Sequence, residues 1–447
     1  MRYSLRLRVV LILHTAIAAC LLSAQTRPVL LISVDGLRPD AVIDAEQHGL
    51  QLQNLQQMLK SGAYASGVRG VLPTVTYPSH TSLITGTSPA RHGIYFNATF
   101  DPLGHNNDGW YWYAEDIRVE TLWTAAHNAG LTVANVYWPV TVGAVIDYNL
   151  PQYWRTGTED DGKLLRAIST PGLPELLKTK DGKLYPEGLS AADSADSART
   201  EYAIRLMQLK RPGLLTVYLG GLDHAEHVYG VFSAKANAVL EHIDALIGQL
   251  REAAGKDMVV AVVSDHGFAN VSKSVNLRVK FREAGLIKSD ASGNVIAWEA
   301  APWNAGAVAF IMINPSANPG TRQKAEELLE KLSKDPESGI ESVLDREEIR
   351  REGGNPQADF AVALKNGYCL GEAITGSFIT PAPVRGMHGF LPGNRAMNSS
   401  FFIAGPGIPA AHLLGEIDMR DIAPTLAAIL GIQLPSAEGR NLFMTQP

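Results

Sequence analysis

The sequence is poor in cysteine, carries no basic run and has no apolar stretch long enough to span a bilayer as a helix. Only two of its 447 residues are cysteines, Cys20 and Cys369, and we predict that Cys369 is a small buried residue. Because no disulfide framework is available, stability must come from a buried core, which a domain of about 400 residues can supply. Lys and Arg are nowhere clustered and the formal net charge is −6, which excludes duplex nucleic acid as a partner.

The first 25 residues have the layout of a secretory signal peptide. Three arginines within the first eight residues precede an uncharged, mostly apolar stretch at residues 9–22. This stretch contains 14 residues, fewer than the ~20 that a spanning helix needs. We therefore predict cleavage after Ala24 and an exported, periplasmic or secreted protein without a transmembrane span. A second interpretation is that residues 17–20 form a bacterial lipobox, which would leave a lipid-anchored Cys20.

Three apolar runs, at residues 29–34, 214–219 and 258–263, are nearly continuous and therefore typical of strands buried on both faces. An acidic residue close to glycine follows each run: Asp35, Asp223 and Asp265. In open α/β sheets, ligands bind outside the carboxyl ends of the strands. We therefore expect the three strands to deliver their carboxylates to one edge of a sheet.

Between the apolar runs the pattern is helical, as at residues 233–254 and 321–334, where apolar residues recur at helical spacing. Strands that alternate with helices predict an α/β fold with a mostly parallel central sheet, flanked by helices on both faces. We predict a signal peptide at 1–24 and a single domain at 27–440. Residues 155–197, rich in Gly, Asp, Ser and Pro, are predicted to form a loop-rich insertion or lid.

Six residues that can bind a metal ion lie close to glycine turns. Each motif alone is equally typical of a turn, a polar helix start or a loop histidine, and only their combination indicates a site. Mixed imidazole and carboxylate ligands without thiolate favour zinc, with manganese or iron as alternatives. Six ligands are too many for one tetrahedral site and suit two ions that share a substrate oxygen, as in displacement at phosphorus. The six are Asp35, Asp223, His227, Asp265, His266 and His388.

Thr76 is the candidate nucleophile. It precedes Pro78-Ser79-His80 at a predicted helix start, where free backbone N–H groups favour negative charge. A Thr hydroxyl is too weakly acidic to attack unaided, but coordination to a divalent ion activates it. For this stretch alone, the alternative is that Thr76 is merely a helix N-cap.

These motifs together resemble the nucleotide pyrophosphatase/phosphodiesterase family of the alkaline phosphatase superfamily. In that family the nucleophile lies in a Thr-aromatic-Pro-Asn-His stretch, about twenty residues before the Asn of a Gly-Ile-x-x-Asn motif. The resemblance extends over residues 27–440 and implies an alkaline-phosphatase-like fold. The matching segments are 35–36, 76–80, 93–97, 223–227, 265–267, 388–389 and, for the closing helix, 419–425.

The resemblance implies a two-zinc phosphodiesterase or nucleotide pyrophosphatase that acts on a small phosphodiester or nucleotide. Thr76 would attack phosphorus to give a phosphothreonine, which water activated by the first zinc would hydrolyse. Asn97, helped by the Tyr77 backbone N–H, would donate to a non-bridging phosphoryl oxygen. The implied ligands are Asp223, His227 and His388 for the first zinc, and Asp35, Asp265, His266 and Thr76 for the second.

Family members stack the leaving group on aromatic residues, which suggests a leaving-group pocket here. For all its candidates except Tyr77, packing in the core is an equal alternative. The predicted pocket residues are Tyr77, Trp110, Trp138, Tyr153 and Trp154.

Two departures from the family pattern concern Ser79, where Asn is usual, and Glu226, where Gly often stands. Neither is an implied ligand, but Glu226 adds negative charge near the leaving group and is expected to disfavour highly anionic nucleotides. The alternative functions are a phosphomonoesterase or phosphonate hydrolase of the same superfamily and a non-catalytic surface-binding protein. A sulfatase is excluded because neither cysteine lies in the Cys/Ser-x-Pro-x-Arg setting that formylglycine requires.

Overall fold

The structure is a computed structural model, and it describes most of the predicted domain. The described residues are 27–106, 109–153, 161–177 and 193–444. The predicted signal peptide with Cys20 lies outside them, as do two stretches of the predicted insertion at 155–197. Among the described residues, no helix is long and apolar enough to cross a membrane.

Twenty strands are assigned in the described part of the chain. In chain order they are β1 (Val29–Val34), β2 (Ala63–Tyr64), β3 (Gly67–Arg69), β4 (Val133–Val136), β5 (Tyr148–Leu150), β6 (Leu214–Leu219), β7 (Val259–Val263), β8 (Ala269–Val275), β9 (Ile287–Ser289), β10 (Val295–Trp298), β11 (Ala300–Ala305), β12 (Val308–Ile313), β13 (Ile340–Asp345), β14 (Phe360–Leu364), β15 (Gly367–Leu370), β16 (Ile379–Pro381), β17 (Gly386–Met387), β18 (Phe401–Ala404), β19 (His412–Leu413) and β20 (Glu416–Asp418).

Fourteen α-helices accompany these strands within the described residues. They are α1 (Pro39–Ile43), α2 (Gln53–Ser61), α3 (Thr76–Thr85), α4 (Pro89–His92), α5 (Leu122–Asn128), α6 (Asp161–Ile168), α7 (Leu173–Leu176), α8 (Asp193–Lys210), α9 (Gly221–Tyr229), α10 (Ala234–Ala254), α11 (Leu277–Glu283), α12 (Thr321–Ser333), α13 (Arg346–Arg351) and α14 (Ile422–Leu430). The described parts of the predicted insertion thus contain α6, α7 and the start of α8.

The main sheet has eight strands in the order β19-β2-β18-β7-β1-β6-β4-β5. The run from β7 to β5 is parallel, and β18 is antiparallel to both of its neighbours. The three apolar runs predicted as buried strands are β1, β6 and β7, which lie side by side at the centre of the sheet. The predicted α/β fold with a mostly parallel sheet is confirmed.

Both faces of this sheet are covered by helices, as the side chains of β1 show. Leu30 and Ile32 point into a core that includes residues of α2, α8 and α10, whereas Val29 and Leu31 join the opposite core with α3, α5 and α14. Successive side chains of a strand alternate between its two faces, so a strand covered on both sides must be apolar throughout. Full burial of each such aliphatic side chain stabilises the fold by about 1.5–3 kcal/mol.

A second sheet was not predicted from the sequence. Strands β11-β12-β14-β13 form an antiparallel sheet, whose β12 side chains join two separate apolar cores. One of these cores contains residues of α11 and α12 together with Cys369, which is only 1% exposed. The prediction that Cys369 is a small buried residue is therefore confirmed.

Candidate metal centre

Three neighbouring strands deliver the candidate ligands to one edge of the main sheet. Asp35 follows β1, Asp265 and His266 follow β7, and α9, which begins after β6, carries Asp223 and His227. The strand ends are tied together, since the Asp35 N–H donates to Leu219 O at 2.9 Å and the Gly36 N–H donates to Asp265 Oδ1 at 3.2 Å. Parallel pairing of β7, β1 and β6 is thus what brings residues distant in sequence together.

Asp223, His227 and His388 form a cluster that we call the outer group. His227 Nε2 lies 3.4 Å from Asp223 Oδ1, and His388 Nε2 lies 3.7 Å from the same oxygen. The Asp223 and His227 side chains are 20% and 23% exposed, so this group is reached from solvent. One carboxylate oxygen faced by two imidazole nitrogens is a donor set suited to zinc.

Asp35, Asp265 and His266 form a second cluster, the inner group, whose side chains are at most 1% exposed. His266 Nε2 lies 3.4 Å from Asp35 Oδ1 and 3.1 Å from Asp265 Oδ2. The ligand atoms of Asp35, Asp223 and His266 also lie within 4.8 Å of one another. Asp223 therefore connects the two groups, which suits a pair of neighbouring ions.

The three histidines are oriented alike by the protein backbone. In each of them Nδ1 is within hydrogen-bond distance of a main-chain carbonyl, so an N–H at that atom leaves the Nε2 lone pair free for a metal ion. The carbonyls belong to Gly386 for His227 (3.0 Å), Gly267 for His266 (3.2 Å) and Thr74 for His388 (3.3 Å).

The loop that carries His388 is held against the second sheet by close backbone contact. A Cβ on Gly389, whose φ is +84°, would lie 2.2 Å from Ala305 O, and one on Gly306 would lie 2.3 Å from His388 O. Only glycine allows such an approach at positive φ. The turn between β11 and β12 therefore positions His388.

The inner group is electrostatically unfavourable without a cation. Burial and the neighbouring carboxylates of Asp265 and Asp223 hold the pKa of Asp35 well above its usual range. Burial, together with Asp223, raises the pKa of Asp265 to about 8. Burial, together with His388, holds the pKa of His266 well below its usual range. Two buried acids thus face a neutral imidazole, and a divalent ion would stabilise the ionised carboxylates.

The outer group differs because its single acid, Asp223, already faces two imidazole rings. Although burial opposes ionisation of Asp223, His227 and His388 lower its pKa. Burial likewise opposes protonation of His227, but the Asp223 carboxylate raises its pKa. Burial lowers the pKa of His388 to about 4.

Several ligand atoms are buried without a hydrogen-bond partner among the described residues. Such atoms are costly in a folded protein and call for a partner such as an ion. They belong to both groups, so the residues present fit two metal ions. The atoms are Asp35 Oδ1, Asp223 Oδ1, Asp265 Oδ2 and His266 Nε2.

Thr76 is the first residue of α3, and Val75 occupies the N-cap position without a side-chain cap. The structure therefore does not favour the alternative in which Thr76 is merely an N-cap. Oδ1 of Asn97 accepts the Tyr77 N–H at 2.8 Å. This backbone donor, which we expected to help bind a phosphoryl oxygen, is thus already engaged by Asn97, whereas the Asn97 amide group remains a donor.

His80 connects Thr76 to the inner group, a contact that sequence analysis missed. Its Nδ1 lies 2.8 Å from Thr76 O and 3.5 Å from Asp265 Oδ2, while its Nε2 lies 2.8 Å from Ser33 Oγ. Burial lowers the pKa of His80 to about 3, so the ring is neutral. On the other side, the contact between His388 and Thr74 O brings the outer group to the same segment. Residues 74–80, at and just before the start of α3, therefore contact both groups.

Four aromatic rings lie next to the start of α3. The Tyr77 ring centroid lies 5.3 Å from that of Trp110 and 6.1 Å from that of Trp112, and Trp112 contacts Tyr153 at 4.7 Å. Trp110 and Trp112 stack with centroids 5.5 Å apart. This aromatic cluster includes three predicted pocket residues and adds Trp112, which no sequence pattern distinguishes from the other aromatics. Tyr77 and Trp112 are 0% and 4% exposed, whereas Trp110 and Tyr153 are only partly buried.

The other two predicted pocket residues are not in this cluster. Trp138 is fully buried, contacts His80 and Trp123 at ring distances of 4.9 and 6.3 Å, and joins the core beneath α3. Its position supports the core alternative. Trp154 lies outside the described residues.

The two departures from the family pattern are both buried, since Ser79 is 0% and Glu226 is 5% exposed. Burial, and to a smaller extent the Asp223 carboxylate, hold the pKa of Glu226 well above its usual range. A buried, neutral Glu226 does not repel an anionic leaving group, so the structure does not support the expected effect on nucleotide choice.

Known sequences that are similar to this chain are phosphodiesterases and nucleotide pyrophosphatases by name. The profile described as type I phosphodiesterase / nucleotide pyrophosphatase matches residues 29–390. Human ectonucleotide pyrophosphatase/phosphodiesterase family member 1 is 26% identical over 268 residues, which cover 56% of this chain and 24% of that protein. Venom phosphodiesterase 2 of Crotalus adamanteus is 24% identical over 271 residues, which cover 57% of this chain and 28% of that protein. The match thus spans about a quarter of the length of these relatives.

Solved structures agree with this result at the level of the fold. Murine ectonucleotide pyrophosphatase/phosphodiesterase 5, as an inactive variant in complex with AMP, matches with a TM-score of 0.64 and 18% identity over 92% of this chain and 97% of that chain. The human protein of the same name matches with a TM-score of 0.62 and 20% identity over 91% and 96%. The alkaline-phosphatase-like fold is therefore confirmed. With a family profile that covers most of the sequence, the chain belongs to the type I phosphodiesterase / nucleotide pyrophosphatase family.

Proposed function

We propose that this protein is an exported two-zinc phosphodiesterase or nucleotide pyrophosphatase that works through a covalent phosphothreonine on Thr76. The observation that carries the proposal is the position of the start of α3. Through His80 and Thr74 it contacts both the inner and the outer group. A nucleophile on a segment that contacts two cation sites suits in-line displacement at phosphorus.

Membership of the family and the names of the relatives support the reaction class. Phosphodiesterase and nucleotide pyrophosphatase are the activities in those names, and one related structure holds AMP. Export is supported by the secreted nature that the name of a venom enzyme implies and by the signal-like first 25 residues. The partly buried rings of Trp110 and Tyr153, which pack on the aromatic cluster, favour a leaving group with a flat ring, such as a nucleoside.

Asp223, His227 and His388 would hold one zinc ion, and Asp35, Asp265 and His266 would hold the other with the Thr76 hydroxyl. When bound, the ions would supply positive charge to the phosphoryl oxygens and lower the pKa of the attacking groups. The inner acids, whose pKa values are raised without metal, would then be ionised.

The reaction divides into two displacements at phosphorus. In the first, Thr76 Oγ1 forms a bond to phosphorus and the bond to the leaving-group oxygen breaks. In the second, water attacks phosphorus, the bond to Thr76 Oγ1 breaks and a phosphate monoester leaves. The Asn97 amide, held by its contact with the Tyr77 N–H, donates to a non-bridging oxygen as charge develops there.

The test is hydrolysis of bis(p-nitrophenyl) phosphate and p-nitrophenyl phosphate by the zinc-loaded protein and by Thr76→Ala. We expect the diester to be the faster substrate and its kcat to fall by about a thousandfold or more in the variant, because the nucleophile is lost. Thr85→Ala is the matched control, since it removes a hydroxyl at the other end of α3. We expect it to keep the activity.

Acid quenching during turnover, followed by mass spectrometry, should find phosphate on the peptide that contains Thr76. A faster monoester would replace the proposal by a phosphomonoesterase, with the metal groups retained. Thr76→Ala with undiminished diester turnover would contradict the covalent mechanism. Bound zinc without turnover of either ester would favour the surface-binding alternative.

A further inference from the structure

Helix α9, which carries Asp223 and His227, is capped by a side chain from another helix. Its N-cap is Gly220, which has no side chain to accept the free N–H groups of the first turn. Asp196 on α8 takes this role, because its Oδ1 accepts the Gly220 N–H at 3.0 Å and its Oδ2 accepts the Gly221 N–H at 2.8 Å. A carboxylate here satisfies orphan donors and is favoured by the helix dipole.

The charge of Asp196 is balanced by Arg199, one turn further along α8. Arg199 Nη1 donates to Asp196 Oδ1 at 2.8 Å, and both side chains are 0% exposed. A charge pair buried this deeply is costly unless both partners are satisfied. The cap that Asp196 provides belongs to α9 and not to its own helix.

Arg199 also contacts the residue that orients a ligand of the inner group. Its guanidinium carbon lies 5.4 Å from the ring centroid of Tyr218 and 4.2 Å from that of Tyr137. The Tyr218 hydroxyl donates to Asp35 Oδ2 at 2.7 Å, which turns Asp35 Oδ1 towards His266. The ring is also confined from the other side, because a Cβ on Gly220 would lie 2.8 Å from its hydroxyl oxygen.

We propose that Asp196 and Arg199 are positioning residues of the metal centre, each acting on one group of ligands. Asp196 fixes the start of α9 and with it Asp223 and His227 of the outer group. Arg199 fixes the Tyr218 ring and through it Asp35 of the inner group. This inference rests on the proposed function, because it assumes that the two groups bind metal ions.

The chain offers a matched control for a purely structural role. Asp244 on α10 is 3% exposed and caps α2 in the same way, since its Oδ1 accepts the Leu55 N–H at 2.8 Å and its Oδ2 the Asn54 N–H at 3.0 Å. None of the candidate ligands lies on α2. Asp244→Asn therefore reproduces the loss of a buried capping charge without touching the ligands.

The test measures zinc affinity by competition with a chromophoric chelator, and unfolding by urea in the metal-free state. In Asp196→Asn we expect zinc affinity to fall about 10–100-fold, as for other partners that orient metal ligands. Arg199→Lys, which keeps the charge but loses the planar stack, should shift the affinity in the same direction. Asp244→Asn should lose stability as Asp196→Asn does but keep the zinc affinity of the unaltered protein.

Equal zinc affinity in Asp196→Asn and the unaltered protein would overturn the inference and leave the proposed function intact. A loss of affinity in Asp244→Asn as large as in Asp196→Asn would also overturn it, because general destabilisation would then explain both. If Asp196→Asn does not fold, unchanged affinity in Arg199→Lys would overturn it instead. An unaltered protein that binds no zinc would overturn the proposed function and this inference together.

Discussion

In the metal-free protein, the inner and outer groups differ in how the charge of their carboxylates is balanced. In the outer group the Asp223 carboxylate faces two histidines, so its pKa falls although burial opposes ionisation. In the inner group two buried acids share a single histidine whose own pKa is lowered, and the acids hold protons instead. The same residue types, placed at one sheet edge, thus give two sites of opposite character.

Because their charges are balanced differently, the two sites should respond differently to metal. An ion in the inner group must displace protons but gains a fully buried site. In the outer group, by contrast, Asp223 and His227 are about one-fifth exposed, although His388 is more deeply buried. We therefore expect the outer ion to exchange more readily and the inner ion to matter more for stability.

Among changes to the two groups, the largest expected effect follows from removing one acid of the inner group. Asp265→Asn should lose one zinc per chain and lower kcat for the diester by at least about a hundredfold, because charge that stabilises the transition state is lost. The measurement is zinc content by elemental analysis together with steady-state kinetics.

His227→Ala is the counterpart in the outer group and should also lose one zinc. We expect it to regain part of its activity at high zinc concentration, whereas Asp265→Asn should not. If high zinc restored activity to Asp265→Asn but not to His227→Ala, the inner ion and not the outer one would be the more readily exchanged.

A smaller effect concerns the pH dependence of stability in the metal-free protein. The pKa of Asp265 is about 8 in the folded state against 3.8 for the free side chain. The folded state therefore holds a proton that the unfolded chain has released, and this contribution to stability is lost as pH rises through about 8. The slope is about 1.4 kcal/mol per pH unit for each proton.

The histidines whose pKa is lowered by burial act in the opposite direction, but only at lower pH. His80, for example, has a pKa of about 3 when folded against 6.5 when free, so it raises stability with pH only below about 6.5. Between pH 6.5 and 8 we expect the free energy of unfolding, measured in urea, to fall, and Asp265→Asn to reduce the slope. A free energy that rises over this interval would contradict the assignment of protonated inner acids.

The smallest expected effect is that of Glu226, which lies beside Asp223 but belongs to neither group. Because it is buried and its pKa is raised, Glu226→Gln should leave the ratio of kcat/KM for anionic and neutral leaving groups unchanged. A variant that gains preference for anionic nucleotides would show that Glu226 is ionised in the working enzyme.

The sequence was sufficient for the central part of the fold. Continuous apolar runs predicted β1, β6 and β7 almost to the residue, and helical spacing predicted α10 and α12. The second sheet was not predicted because β12 is a continuous apolar run, as the strands of the parallel sheet are. The sequence of one strand does not show which strands it pairs with.

The candidate ligands could be named because carboxylates and histidines next to glycine turns form short motifs. The residues that orient them could not, since their role depends on contacts between distant elements. His80 contacts Ser33 across 47 positions and Asp196 contacts Gly220 across 24, with no local pattern to indicate either. Only the paired strands and the position of α8 bring these residues to the metal centre.

Zinc content of the purified protein after removal of loosely bound metal is the most direct test of the account. Two ions per chain are predicted, with one lost in Asp265→Asn and one lost in His227→Ala. A single ion in the unaltered protein that both variants lose would contradict the existence of two sites.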